Sequence, residues 1–130
     1  MSDSSRTRIH VIGTGGTIAG IGLNHLDYTQ YAEIGKKFTI EESMDRIPEA
    51  NSIADVSSEN LISVGSPAIG PTEWLELNKR INTLLATNNI DGIVVTHGTA
   101  TLEETAYFLH LTVQSKKPVV ITGAMRPPTS

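Results

Sequence analysis

The sequence contains no cysteine, which excludes a disulfide scaffold, a thiol nucleophile and a thiolate metal site. It also lacks any apolar run approaching the ~20 residues that a membrane-spanning helix needs, so no membrane partner is expected. Positive charge is scarce. Ten basic residues against 14 acidic ones leave a net charge of −4, a poor match for a phosphate backbone, so no nucleic-acid partner is expected either. The polar start, Met1 to Arg8, has no hydrophobic segment of the secretory kind. His10, His25 and His110 lack the spacing of a metal-binding pair, and no metal is assigned. What is present is 38% hydrophobic residues and 11 glycines spread evenly over 130 positions. That fits one soluble, cytoplasmic globular domain, burying roughly two-thirds of the surface its unfolded chain exposes.

Hydrophobic patterning divides the chain into alternating strands and helices. Residues 8–12 read as a strand closed by the turn Gly13-Thr14-Gly15-Gly16-Thr17. Residues 24–37 show no period and carry two tyrosines, the pattern of a loop lying over something. Residues 39–47 suggest a short helix with Thr39 as cap, Glu41 and Glu42 in its first turn and Pro48 after it. A second strand is expected over 60–64, ended by Gly65-Ser66-Pro67.

Apolar residues at 74, 77, 81, 84 and 85 make one face of a helix over 71–87, with Pro71 and Glu73 suited to its first turn. Ile93-Val94-Val95 marks a buried parallel strand within 90–96. Leu102, Ala106, Leu109 and Val113 share a face of a helix over 101–115, where Thr101 and Glu104 have capping-box spacing. Residues 118–122 form a fourth strand, closed by Gly123. The order predicts an open parallel α/β sheet. The sequence stops at Pro127-Pro128-Thr129-Ser130 without a helix to cover that strand, so an incomplete unit is expected.

In such a sheet, functional groups gather beyond the carboxyl ends of the strands. Residues 13–17, 65–67, 96–101 and 123–127 share that address. The first segment is not a dinucleotide loop, because Ile18 occupies the third glycine position of G-x-G-x-x-G, and no G-x-x-x-x-G-K-[ST] occurs. Thr14-Gly15-Gly16-Thr17-Ile18-Ala19-Gly20 resembles the N-terminal signature of the asparaginase/glutaminase family of threonine amidohydrolases. Thr96-His97-Gly98-Thr99-Ala100-Thr101-Leu102-Glu103-Glu104-Thr105-Ala106 resembles that family's second signature, and Gly123-Ala124-Met125-Arg126-Pro127 the stretch after its next strand. The resemblance runs in order along nearly the whole chain. It implies a flavodoxin-like N-terminal asparaginase domain over 1–130, incomplete, with the family's second domain absent.

The resemblance also implies a reaction: hydrolysis of the side-chain amide of asparagine or a related small carboxamide, through a threonyl ester and without a cofactor. Thr17 matches the nucleophile, whose hydroxyl needs a group to take its proton; the plainer reading of a threonine there is a helix cap. A loop tyrosine assists in this family. Tyr28 and Tyr31 both compete for that role, and Tyr28 is preferred because Tyr28-Thr29 matches the family's tyrosine-threonine pair. Thr99 matches the threonine that orients water, and Ser66 the residue that binds the substrate's α-carboxylate. Gly16 and Gly98 belong to the same substrate-binding set. His97 has a structural place rather than a catalytic one, and Met125 and Arg126 are expected to shape the wall or support packing.

Two positions depart from the family pattern. Ala100 stands where an aspartate is expected, and Pro67 where a side chain often helps to hold the substrate's α-ammonium. The family's active-site lysine has no counterpart in these 130 residues. Both substitutions remove ligands for one ammonium, and burying it unpaired costs several kcal/mol. The family assembles as homodimers and homotetramers that complete each other's sites, so these residues alone lack groups that its active sites use. Altered specificity, a non-catalytic relative that binds a small carboxylate, and a fragment that associates with a complementary chain all remain open.

Overall fold

The computed structural model describes residues 6–130, so most of the polar start lies outside the described residues. Four strands, β1 (Arg8–Gly15), β2 (Asp55–Val64), β3 (Gly92–Thr96) and β4 (Val119–Thr122), form one sheet. Its order is β2-β1-β3-β4, and every pair is parallel. This is the flavodoxin-like winding, and its switch point lies between β1 and β3, where the chain's direction of travel across the sheet reverses.

Helices cover both faces. After β1 the chain runs through α1 (Tyr31–Ile34), α2 (Ile40–Asp45) and α3 (Ala50–Ile53), while α4 (Pro71–Leu85) joins β2 to β3 and α5 (Leu102–Thr112) joins β3 to β4. Right-handed crossovers running in opposite directions place α2 and α3 on one face and α4 and α5 on the other. Packing follows the alternation of β1. Ile12 joins Leu77, Ile81 and Leu85 of α4, Ile93 and Val95 of β3 and Leu109 of α5 in the core. The next residue, Gly13, lies under α2, where an added Cβ would come 3.1 Å from the Cβ of Ile40. Each fully buried Ile or Leu contributes about 1.5–3 kcal/mol.

Several boundaries differ from expectation, each for a local reason. β2 begins at Asp55, five residues before the apolar stretch, because polar partners hold its first half. There Glu59 accepts from Arg80 Nε (2.7 Å) and is hydrogen-bonded to His10 Nε2 (3.1 Å), while His10 Nδ1 is 2.7 Å from Ser57 Oγ. Burial pushes the Glu59 carboxyl up, but Arg80 and His10 outweigh it and leave the group below its usual range. Helix α3 was not anticipated, and α1 interrupts the loop expected over 24–37. Helix α2 carries the full capping box, Thr39 Oγ1 accepting from Glu42 N and Glu42 Oε2 from Thr39 N. The box expected at Thr101 is absent: the helix is entered through a 3-10 turn, Thr99–Thr101, and Thr101 Oγ1 donates to Ser66 O (2.8 Å) instead.

Candidate active site

The floor of the site is made where three strand ends meet, backbone against backbone. Gly15 and Gly16 have φ of +94° and +84°, values that side chains resist, and Gly16 N–H donates to Val64 O at 3.2 Å. A Cβ at Gly16 would lie 2.5 Å from Gly98 N, and one at Gly98 would lie 2.6 Å from Ser66 Oγ. Segments 13–17, 65–67 and 96–101 therefore interlock only because two of the residues are glycine. Thr14, fully buried, ties the first to the third by donating to Thr96 O (2.8 Å). Ser66 is 4% exposed, and its Oγ accepts from Ala100 N (3.1 Å).

His97 is fully buried behind this floor. Its Nδ1 must donate to Gly98 O (2.6 Å), because a carbonyl only accepts. Nε2 is then the acceptor, taking the hydroxyl hydrogen of Thr105 (3.0 Å), and Thr105 Oγ1 in turn accepts from Trp74 Nε1 (2.9 Å). Both ring nitrogens are occupied.

Thr17 opens a 3-10 turn, Thr17–Ala19, whose cap position is Gly16 and has no side-chain capping bond. Thr17 Oγ1 lies 3.0 Å from Tyr31 OH. The structure thus brings Tyr31, rather than the preferred Tyr28, within hydrogen-bond distance of Thr17. Tyr28 is 47% exposed, and its ring lies under the Arg126 guanidinium, 5.4 Å from its centroid. The cause is Asp27, 8% exposed, whose carboxylate gathers the amides of Thr29, Gln30 and Tyr31 and turns the chain between the two tyrosines. Of the fourth segment, Gly123 packs on His97 O, Pro127 is buried and Met125 is 81% exposed.

These groups surround a cleft of about 350 Å³. Gly16, Thr17, Ser66, Pro67, Gly98, Thr99 and Ala100 all line it, and Tyr31 closes one side. Among the described residues, the charged ones lining it are Lys36 and Lys37, with no carboxylate. Sequence reasoning missed those lysines and Asp27. An aspartate two to four residues ahead of Thr29-Gln30-Tyr31 is the available signal, since such side chains collect the amides of the following turn. Among the described residues, no three His, Asp or Glu side chains converge as metal ligands, and no helix is long and apolar enough to cross a membrane.

A parallel sheet wound in this order, with a hydroxyl-lined cleft at its switch point, defines a doubly wound α/β protein of the flavodoxin-like class. The chain belongs to the asparaginase family: residues 8–130 match the model described as Asparaginase, N-terminal. It is 52% identical over 124 residues to L-asparaginase 2 of Bacillus subtilis, covering 94% of this chain and 32% of that protein. It is 46% identical to L-asparaginase 2 of Escherichia coli, covering 94% and 34%. The crystal structure of a probable cytoplasmic L-asparaginase from Campylobacter jejuni superposes with a TM-score of 0.87 at 44% identity, covering 96% of this chain and 37% of that one. The chain spans about a third of the length of the relatives it matches.

Proposed function

We propose that the protein carrying this chain hydrolyses a small carboxamide to the acid and ammonia, with Thr17 as nucleophile. The observation that carries the reading is the 3.0 Å pairing of Thr17 Oγ1 with Tyr31 OH inside the cleft. Thr17 Oγ attacks the amide carbon while the Tyr31 hydroxyl relays the proton, accepting the hydrogen of Thr17 as it releases its own towards the substrate nitrogen. The proton passes to the departing nitrogen, ammonia leaves, and the acyl group remains as a threonyl ester that water then cleaves. The amides of Thr17 and Ile18, which open the Thr17–Ala19 turn, are the donors assigned to the developing oxyanion, since the first amides of a helical turn lack partners within it. Ser66 Oγ accepts from Ala100 N, which leaves its own hydrogen for a substrate carboxylate. Thr99 orients the water. The names of the relatives, L-asparaginases and glutaminase-asparaginases, support the reaction class.

The substrate of this reading has no free α-amine. An α-ammonium is held best by a carboxylate, and the cleft offers instead Lys36 and Lys37, Ala100, and Pro67, which lacks even an N–H. A succinamate-like or N-acylated amide suits it better than asparagine. Ammonia release from asparagine, succinamate and N-acetylasparagine tests this; faster turnover of asparagine contradicts it. Ala100→Asp is expected to raise asparagine affinity. Hydroxylamine trapping of the ester separates an enzyme from a relative that only binds a small acid, the second reading that the missing carboxylate favours. The reading extends to a cytoplasmic homodimer or homotetramer, the first in line with the name of the Campylobacter jejuni relative, and sedimentation of the full protein checks the second.

A further inference from the structure

We infer that Asp27 is a positioning residue that sets the Tyr31 phenol against Thr17, an inference that rests on reading those two hydroxyls as the reacting pair. One carboxylate holds both arms of the loop. Oδ2 accepts from Leu23 N (2.9 Å), and Oδ1 accepts from Thr29 N (3.2 Å), Gln30 N (2.7 Å) and Tyr31 N (3.2 Å). The last of these fixes the backbone of the tyrosine itself. The amides of Gln30 and Tyr31 open α1, where no carbonyl of the helix can reach them, and a negative charge suits that end.

The loop has a second anchor, on the segment after β4. Ser130 Oγ donates to Asp27 O (2.8 Å), and Gly22 N donates to Thr129 Oγ1 (2.9 Å). Asp27 therefore sits at the junction between an outer anchor and an inner side chain. Its amide bonds, with Leu23 foremost, hold the carboxyl below its usual range, so the charge that makes them persists at neutral pH. A phenol must lie within hydrogen-bond reach to take a proton, and a misplacement of about 1 Å costs about 10²-fold in rate. Beyond Tyr31 the chain is tied back by Ile21 N–H donating to Lys36 O (3.0 Å), so Asp27 is the anchor on the near side of the tyrosine.

The test uses the full protein with L-asparagine and succinamate as probes. Asp27→Ala is expected to lower kcat about 10²-fold with KM changed far less. Asp27→Asn keeps one acceptor oxygen for the Thr29, Gln30 and Tyr31 amides but cannot accept from Leu23, so it falls in between. In a double-mutant cycle, Asp27→Ala has little further effect once Tyr31 is Phe, which a general structural role would not produce. Chymotrypsin cleavage at Leu26 or Tyr28 accelerates in Asp27→Ala while the melting temperature holds. Wild-type kcat in Asp27→Ala, effects that multiply in the cycle, or unchanged cleavage each overturn the inference. Thr17→Val tests the underlying reading separately. It abolishes turnover and leaves loop protection as in the parent, so an active Thr17→Val removes the reading while cleavage still reports on Asp27.

Discussion

The floor of the cleft and the loop that crosses it are held by opposite means. The floor is close-packed backbone: Gly16 against Gly98, Gly98 against Ser66, with Thr14 and His97 buried behind. The loop carries exposed apolar side chains, Leu23 at 67% and Leu26 at 78%, and hangs on hydrogen bonds to one carboxylate and to residues 129 and 130. Packing of the first kind has few alternatives, whereas hydrogen bonds at a surface open locally at modest cost. The difference assigns the two halves of the proposed reacting pair to different mechanical regimes. The floor fixes Thr17 in space; the loop decides whether Tyr31 is there to meet it.

The comparison breaks most severely at the floor. Gly16→Ala forces a Cβ onto the Gly98 backbone at φ +84°, and a loss of about 3 kcal/mol or more is expected in urea unfolding. A loss below 1 kcal/mol would mean that the strand ends can move apart. In the loop the effect falls on rate instead. Tyr31→Phe is expected to lower kcat about 10²-fold with the melting temperature nearly unchanged, and Tyr28→Phe to leave both as they are. The reverse ranking would restore Tyr28 to the role.

Thr105→Val sharpens the contrast from behind the floor. It leaves His97 Nε2 and the Trp74 indole N–H without their partner and is expected to cost about 1–3 kcal/mol while kcat per folded molecule holds. Loss of kcat without loss of stability would instead bring His97 into the chemistry.

The smallest effect lies at the amino end of the sheet, away from the cleft. Arg8 donates to Asp91 and holds its carboxyl at about 2. A depressed folded value stabilises the fold above the unfolded value of about 3.8, and that contribution is lost as pH falls towards 2. Asp91→Asn is therefore expected to flatten part of the acid limb of the stability curve between about pH 4 and pH 2, with turnover at neutral pH unaltered. Asp27 and Glu59 are shifted the same way, so the limb persists in part.

How far the sequence could be read follows the same division. Strands with apolar runs, such as Ile93-Val94-Val95, and glycines next to hydroxyl residues at strand ends reveal the sheet and the floor, because burial and close approach restrict which residue types fit. The first half of β2 hid behind Asp55, Ser57, Ser58 and Glu59, which pair with a strand and a helix distant in sequence rather than with a hydrophobic core. The capping box at Thr101 had the right spacing, yet the hydroxyl found a carbonyl on another segment. The choice between Tyr28 and Tyr31 depended on where Asp27 turns the chain, three or four residues of local hydrogen bonding that periodicity does not register.

The most direct test of the account is the intact mass of the full protein, acid-quenched during turnover of an amide that it hydrolyses, followed by peptide mapping. An increase equal to the substrate less ammonia, carried on Thr17, is the predicted result. An adduct on any other residue, or turnover with no adduct even when hydroxylamine is present to capture it, would contradict it.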